Sequence, residues 1–201
     1  VYLLASSGTG GMEAAVVNIV SPGDKVIAVD GGKFGERWVD LCQTFGAKTI
    51  VHKVQWGKAP TAAGIKSLLD ANPDTKAVYL TLVETSTGVA TDIKAIGEVV
   101  KNTKAILVVD AVSGLAVQEL KSDAWHVDMV VSGSHKGLML PPGVGFVTAS
   151  PKAIAIINAC ATPRLYFDLR EAKKAMEKTD TAFTPAIGII IAMAESLKMI
   201  K

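Results

Sequence analysis

The sequence predicts an α/β three-layer sandwich built around a mostly parallel, seven-stranded sheet. Strand-like and helix-like runs alternate along the 201 residues, which is typical of a parallel sheet with helices on both faces. The run Ala105–Asp110 is apolar until its last residue, as expected for a strand that is buried on both faces. Turn-forming clusters, such as Ser21–Asp24 and Asn72–Asp74, separate neighbouring runs.

Each run has a local reason for its assignment. Short apolar runs rich in β-branched residues predict the strands, and longer runs with one apolar face predict the helices. Ser150–Pro151 and Thr184–Pro185 each fit a helix cap followed by proline at the first helical position. The expected strands are Val1–Ala5, Lys25–Asp30, Thr49–Val54, Ala77–Val83, Ala105–Asp110, Met129–Ser132 and Gly145–Thr148. The expected helices are Gly11–Val20, Phe34–Phe45, Thr61–Ala71, Ile93–Lys101, Pro151–Ile157, Leu169–Lys178 and Pro185–Ile200.

Composition and charge restrict the possible function classes. Apolar residues make up 49% of the chain and charged residues 20%, which is typical of a globular domain. With a net charge of +2 and no basic run, we expect no nucleic-acid partner, and no apolar stretch of membrane length indicates a membrane partner. Cys42 and Cys160 lack the spacing of metal ligands, so we expect no metal site and two buried free thiols. Free thiols favour a reducing, cytoplasmic location.

Lys136 is the first candidate for chemistry. It follows the apolar strand Met129–Ser132 and precedes a turn rich in glycine and proline. Desolvation at the end of a buried strand would lower the pKa of the lysine ammonium, which suits an amine that attacks a carbonyl and forms a Schiff base. The alternative is a surface lysine in a turn, and Lys136 alone does not decide between the two.

Asp110 is the second candidate, at the carboxyl end of the apolar run that starts at Ala105. Ligands of open parallel sheets bind just outside the carboxyl ends of the strands. A carboxylate there can keep a pyridinium nitrogen protonated, which makes the ring a better electron sink. A helix cap and a metal ligand are the alternative interpretations of Asp110.

The third candidate is the glycine-rich segment Ser6–Gly11, which joins a strand-like run to a helix-like run. Backbone N–H groups at a helix start, together with the helix dipole, form an anion-binding site. The segment is neither a Walker loop nor a complete Gly-x-Gly-x-x-Gly motif. It therefore indicates an anion without identifying it.

Together the three segments resemble the fold type I pyridoxal-phosphate enzymes. They resemble most the class V aminotransferases of the alanine–glyoxylate and serine–pyruvate kind, and the likeness covers nearly the whole chain in the family's order. It implies pyridoxal 5′-phosphate as the cofactor, held as a Schiff base by Lys136. It also implies that Asp110 is the partner of the ring nitrogen. Lys136 and Asp110 are thus the implied catalytic residues.

The resemblance also implies the contacts to the cofactor. The glycine-rich segment would hold the phosphate, Phe34 would stack on the ring, and Ser86 would contact the region of the ring hydroxyl. Thr184 would reach the phosphate of the neighbouring subunit in a homodimer, and His135 would contact the phosphate where many members have glutamine. The implied cofactor-binding residues are Ser7, Gly8, Thr9, Gly10, Phe34, Ser86, Asp110, Val112, His135, Lys136 and Thr184.

Some positions depart from the family pattern. Phe34 stands in place of a frequent tryptophan and still offers an aromatic face for stacking. Thr181 stands where many members have a tyrosine. Arg37, Arg164 and Arg170 are candidates for binding a substrate carboxylate, and none of them matches the family's arginine.

Members of this family are longer at both ends than the present chain. The resemblance therefore implies that residues 1–201 form the cofactor-binding large domain, without the N-terminal arm and the C-terminal small domain.

The implied activity is transfer of an amino group from a small amino acid, of the alanine or serine type, to a 2-oxo acid such as glyoxylate or pyruvate. One alternative is another class V enzyme, a cysteine desulfurase or lyase, against which Phe34 and the lack of a suitable cysteine argue. The other is a non-catalytic nucleotide- or phosphate-binding module, which would leave the pairing of Asp110 with Lys136 unexplained. The sequence does not identify the amino donor.

Overall fold

Residues 1–200 are described in the computed structural model and contain nine strands and seven helices. The strands are β1 (Tyr2–Leu4), β2 (Lys25–Asp30), β3 (Lys48–Lys53), β4 (Ala77–Thr81), β5 (Val83–Glu84), β6 (Val89–Ala90), β7 (Ile106–Asp110), β8 (Met129–Gly133) and β9 (Gly145–Val147). The helices are α1 (Gly8–Val17), α2 (Lys33–Thr44), α3 (Ala62–Ala71), α4 (Ile93–Val100), α5 (Pro151–Ala159), α6 (Leu169–Glu177) and α7 (Ile187–Ile200).

Seven of the strands form one sheet in the order β1-β9-β8-β7-β4-β2-β3. Only β9 runs antiparallel to its neighbours, β1 and β8, and every other neighbouring pair in this sheet is parallel. The predicted mostly parallel, seven-stranded sheet is therefore confirmed. The hairpin of β5 and β6 was not predicted. The predicted strand Ala77–Val83 divides there, because β4 ends at Thr81 and the chain turns into the hairpin.

Helices cover both faces of the sheet, as the three-layer prediction requires. The strand β7 shows the alternation directly, because Ile106 and Val108 face one apolar core while Leu107 and Val109 face the other. The first core is completed by residues of α1, α2, α5 and α6, among them Met12, Trp38, Ile157 and Leu169. The second is completed by residues of α3 and α4, among them Ile65, Leu69 and Ile96.

Four helices begin at other residues than predicted, and for α2 and α3 the difference is a single residue. Helix α1 begins at Gly8 rather than Gly11, because Ser7 has an extended backbone and its side chain accepts from the N–H of Gly10. Helix α7 begins at Ile187, two residues beyond the predicted proline position. The predicted cap at Ser150, with Pro151 at the first helical position of α5, is confirmed.

Helix α7 packs against the segment that follows β8. Met193 joins an apolar cluster with Leu138 and Val144, and the buried hydroxyl of Ser196 donates to the carbonyl of Leu138. On the opposite side of the helix, large apolar side chains such as Ile191 are exposed. Among residues 1–200, no helix combines the length and the apolar character that crossing a membrane requires.

Hydrogen bonds from Arg164 connect the segment between α5 and α6 to the C-terminal end of α1. Its side chain is only 2% exposed, and its guanidinium donates to Asn18 Oδ1 at 2.8 Å and to the carbonyls of Ile157, Cys160 and Thr162. A buried guanidinium is tolerated because these acceptors replace its lost hydration.

We expect Arg164→Met to destabilise the chain by about 3–5 kcal/mol, because it leaves several buried acceptors without a donor. Arg170→Met is the matched control, since Arg170 pairs with Asp168 from a half-exposed position and should contribute only about 1 kcal/mol or less. Urea unfolding of both variants measures the difference. Equal losses in the two variants would contradict this account of Arg164.

Candidate active site

The predicted site residues gather at one edge of the sheet, where the parallel strands have their carboxyl ends. Ser7 follows β1, Phe34 follows β2, Asp110 ends β7 and Lys136 follows β8. Register fixes this edge: Asp110 lies opposite Thr81 of β4 and Val131 of β8. Crevices at the carboxyl ends of parallel strands are the usual ligand sites of such sheets.

Helix α1 begins at this edge with donors that the helix does not use. The first N–H groups of any helix lack partners inside it. Ser7 accepts from the N–H groups of Gly10 and Gly11, through its hydroxyl and its carbonyl. The N–H groups of Gly8 and Thr9 remain without an intrahelical partner. With the positive end of the helix dipole, they favour an anion at this point. Gly8, Thr9 and Gly10 are therefore the first residues of the helix rather than a preceding loop.

A small space beside this helix start is bordered by polar groups. A Cβ atom placed on Gly133, the last residue of β8, would lie 3.1 Å from His135 Nδ1 and 3.2 Å from Gly8 N. The glycine thus keeps open a space that any other side chain would fill. His135 Nδ1 is buried, and it has no hydrogen-bond partner among residues 1–200. A buried polar atom without a partner calls for a ligand, and phosphate oxygens suit both this nitrogen and the Gly8 amide.

Burial lowers the pKa of His135 below its ordinary value, and the neighbouring Lys136 ammonium lowers it further. A neutral imidazole is therefore favoured near neutral pH, and it has one N–H donor. His135 can then contribute a hydrogen bond to an anion without adding a full charge.

Asp110 is a buried carboxylate with few partners. It is 4% exposed, and its Oδ1 accepts from the N–H of Val112 at 2.8 Å. Burial raises the pKa of Asp110 to about 6; Glu84 acts in the same direction, while the Val112 N–H, Arg37 and Lys136 oppose it. A protonated ring nitrogen beside Asp110 would supply the cation that this carboxylate lacks. Asp110 therefore fits the predicted pyridinium partner.

Val112 links the Asp110 segment to α1. Its side chain is buried, and a Cβ atom on Gly8 would lie 2.6 Å from Val112 Cγ2. This close approach positions the start of α1 next to the end of β7.

The structure decides between the two interpretations of the position of Lys136, and its side chain is exposed. Lys136 lies in a turn three residues beyond Gly133, the end of β8. The chain leaves the sheet at Gly133, so Lys136 does not lie at the end of the strand itself. The turn itself is well held: the buried Ser134 hydroxyl donates to the carbonyl of Pro141 at 2.7 Å and accepts from the N–H of Val144.

Ser86 has a structural task at the start of α2. Its hydroxyl accepts from the N–H of Lys33 at 3.0 Å and donates to Glu84 Oε1 at 2.7 Å. Its predicted contact with the ring hydroxyl stays a prediction. The neighbouring Thr85 hydroxyl lies 2.5 Å from that of Ser113, in the segment after Asp110.

Glu84, which the sequence left without a role, is the cap of α2. Gly32 precedes this helix and offers no side-chain acceptor. Glu84 is 4% exposed and accepts from the N–H groups of Phe34, Gly35 and Ser86 at 3.0–3.3 Å. A buried carboxylate on the hairpin thus fixes the helix turn that carries Phe34. The sequence signal was weak, since a cap from a distant segment has no fixed spacing.

Phe34 is half-buried in the first turn of α2 and has a cationic neighbour. The guanidinium carbon of Arg37 lies 4.8 Å from the centroid of the Phe34 ring. Arg37 Nη1 also donates to Thr9 Oγ1 at 3.0 Å. Of the three candidate arginines, Arg37 is therefore the one beside the predicted cofactor contacts, whereas Arg164 and Arg170 are bound to Asp168 beyond the other end of α1.

Thr184 is exposed and lies in the segment before α7. Next to that segment is an apolar cavity of 180 Å³. Its lining includes Leu3, Ala5, Val144, Tyr166, Phe183 and Ile190. Thr184 stays a predicted contact to the neighbouring subunit.

We expect Glu84→Ala to destabilise the chain by about 2–4 kcal/mol, because several N–H groups lose a buried charged acceptor. Asp92→Ala is the matched control: Asp92 caps α4 through the N–H of Ala95 but is exposed, so its loss should be about 1 kcal/mol. Urea unfolding compares the two. A loss for Glu84→Ala no larger than that of the control would contradict the capping role.

Comparison with known proteins identifies the family of this chain. The sequence model of the family described as aminotransferase class V matches residues 3–201. A soluble hydrogenase 42 kDa subunit from Anabaena cylindrica is 42% identical over 204 residues, which cover 100% of this chain and 53% of the relative. An L-aspartate–glyoxylate aminotransferase from Paracoccus denitrificans is 38% identical and covers 100% of this chain and 52% of the relative.

A solved structure of an aminotransferase has the same fold as this chain. The crystal structure of an alanine–glyoxylate aminotransferase from Nostoc sp. superimposes with a TM-score of 0.93 at 30% identity, over 98% of this chain and 53% of the other. The chain spans about half the length of the curated relatives that it matches. The family match covers nearly the whole chain, and the chain therefore belongs to the class V aminotransferase family.

Proposed function

We propose that residues 1–201 are the cofactor-binding large domain of a pyridoxal-phosphate-dependent aminotransferase. The observation that carries the proposal is the meeting of three features at one sheet edge: the buried carboxylate of Asp110, the open start of α1 beside His135, and the amine of Lys136. Each matches a different part of the cofactor. Proteins of this family generally depend on pyridoxal phosphate.

The residues would hold the cofactor in distinct ways. The N–H groups of Gly8 and Thr9 and the ring of His135 would bind the phosphate, and Asp110 would pair with the ring nitrogen. Phe34 would cover a face of the ring. Ser7 and Gly10 shape the helix start. In this proposal, the N–H of Val112 positions the Asp110 carboxylate by donating to it. Ser86 contributes indirectly, because its hydroxyl bonds to Glu84 and to the N–H of Lys33 at the start of the helix that carries Phe34.

When bound, pyridoxal phosphate supplies an aldehyde that condenses with amines and a ring that withdraws electrons from the attached carbon. Lys136 is the amine that would bind the aldehyde. Released from it by the substrate amine, Lys136 would act as the general base that takes the α-proton and as the acid that returns it. Exposure of Lys136 fits this task, since the amine must reach an incoming substrate. Asp110 would keep the ring nitrogen protonated throughout.

The proposed substrates are a small amino acid and a 2-oxo acid. The names of the Paracoccus and Nostoc proteins agree on glyoxylate and differ in the amino donor, aspartate or alanine. We therefore propose glyoxylate as the acceptor and leave the donor among small amino acids, including serine. Pyruvate is a second proposed acceptor.

A homodimer with shared sites is part of the proposal. The exposed Thr184, the neighbouring apolar cavity and exposed side chains of α7 such as Ile191 support a subunit contact on this side. A cytoplasmic location is also proposed. The buried free thiols of Cys42 and Cys160 support it, because thiols persist in reducing compartments.

The alternative functions have less support from the described residues. A desulfurase needs a mobile, reactive cysteine, whereas Cys42 and Cys160 are buried, and burial raises the pKa of the Cys42 thiol. A nucleotide-binding module would use the start of α1 but not Asp110 or Lys136.

The activity is tested with the longer polypeptide that the proposal implies, in which the large domain is joined to its small domain. It is incubated with pyridoxal phosphate, glyoxylate and alanine, serine or aspartate, and the glycine formed is measured. We expect glycine with at least one donor, and we expect Lys136→Ala to lower its rate by about 10²–10⁴-fold or more, because the base is lost. Lys121→Ala, which removes an exposed loop lysine paired with Glu119, should leave the rate unchanged. Absence of glycine with every donor would contradict the proposal.

The pH dependence of stability tests the environment of Asp110. Its folded-state pKa of about 6 lies above the unfolded value of about 4. The folded chain therefore binds the extra proton between these values, and its stability falls as pH rises from about 4 to about 6. Asp110→Asn removes this dependence of stability on pH. Relative to wild type, without added cofactor, the variant should gain up to about 3 kcal/mol between pH 4 and pH 7.

Urea unfolding across this pH range checks that prediction. The same variant should form glycine far more slowly, since a neutral amide cannot hold the ring nitrogen protonated. A difference between variant and wild type that does not change with pH would show that Asp110 is not a buried carboxyl with a raised pKa.

A further inference from the structure

Arg37 contacts two residues of the predicted cofactor site that belong to different elements. Its Nη1 donates to Thr9 Oγ1 at 3.0 Å, in the first turn of α1. Its guanidinium carbon lies 4.8 Å from the centroid of the Phe34 ring, in the first turn of α2. One half-buried side chain thus touches both the helix start proposed for the phosphate and the ring proposed for stacking.

The guanidinium of Arg37 is not neutralised by a neighbouring carboxylate, so its charge is available for these two contacts. Among residues 1–200, no carboxylate forms an ion pair with Arg37, whereas Arg164 and Arg170 both pair with Asp168. The hydroxyl of Thr9 accepts from Arg37 and keeps its own proton, which it can donate to an anion. A planar guanidinium can donate from its edge while its face lies on an aromatic ring, and an ammonium cannot do both.

Thr9 and Phe34, the two residues that Arg37 contacts, each lie in the first turn of a capped helix. Glu84 caps the turn that carries Phe34, and Ser7 caps the turn that carries Thr9. A link between two fixed turns restricts their relative position, whereas a link between two mobile loops would not. Holding a site in its binding arrangement reduces the ordering cost when the ligand binds.

We propose that Arg37 is a positioning residue that joins Thr9 and Phe34 into one preformed unit. The use of this unit for pyridoxal phosphate rests on the proposed function, but the unit itself does not. Arg37 acts through Thr9 and Phe34, so its loss disturbs both the phosphate end and the ring end of the site.

The first experiment tests the unit without any cofactor. Urea unfolding is measured for Arg37→Met, Thr9→Val, Phe34→Leu and the two double variants that contain Arg37→Met. If Arg37 joins the two residues, each double variant loses less than the sum of its single losses. The expected coupling is about fivefold in the unfolding equilibrium constant for each pair. Additive losses for both pairs would overturn the proposal, whether or not the chain binds pyridoxal phosphate.

The second experiment tests what the unit does, by titration of each variant with pyridoxal phosphate, followed by absorbance and fluorescence. We expect Arg37→Met to raise Kd about tenfold, and Arg37→Met/Thr9→Val to raise it little further. Arg37→Lys should restore less than half of the loss, because lysine lacks the planar fork. Lys33→Met is the control: it removes a cation from the same helix turn, one that pairs with Glu36, and should leave Kd within about twofold.

The outcomes separate the possible roles. Full rescue by Arg37→Lys would mean that Arg37 acts only as a positive charge, and tighter binding by Arg37→Met would mean that it obstructs the site; either result overturns positioning. If the wild-type chain takes up no pyridoxal phosphate, the proposed function fails. The coupling measured by unfolding then still decides whether Arg37 joins Thr9 to Phe34.

Discussion

Parallel pairing of β2, β4, β7 and β8 is the constraint from which the candidate site follows. Their carboxyl ends come to one edge because the backbone hydrogen bonds fix both the direction and the register of the strands. Asp110 cannot leave this edge without breaking its pairing with Thr81 and Val131. The segments after β1, β2 and β8 then bring the start of α1, Phe34 and Lys136 to the same place. The site is therefore a consequence of topology before any side chain interacts with another.

Two helices, α1 and α2, begin at this edge, and they differ in whether the protein supplies acceptors for their first N–H groups. The start of α2 is closed by the protein itself, because the buried carboxylate of Glu84 accepts from its first N–H groups. The start of α1 leaves the N–H groups of Gly8 and Thr9 for an external anion, beside the unpartnered nitrogen of His135. Because of this difference, α2 holds Phe34 in a fixed position, whereas the start of α1 suits a phosphate.

Much of this arrangement could be predicted from the sequence because it depends on local patterns. Runs that are apolar until a polar last residue, such as Ala105–Asp110, identify the buried strands, and the chemistry of the last residue identifies the edge of the sheet. Contacts between distant segments could not be predicted, since they follow no spacing. The cap that Glu84 provides to α2 and the bond from Arg37 to Thr9 are of this kind. The sequence left open whether Lys136 is buried at a strand end or exposed in a turn, because the apolar run does not show where the strand ends. The strand ends at Gly133, before the lysine, and Lys136 is exposed.

The most direct test of the account is to identify which lysine binds the cofactor. The chain is incubated with pyridoxal phosphate, reduced with borohydride and digested, and the modified peptide is mapped by mass spectrometry. The account predicts modification at Lys136, with other lysines labelled only at the level seen in denatured protein. Labelling scattered over surface lysines, with no preference for Lys136, would contradict the assignment of this sheet edge as the cofactor site.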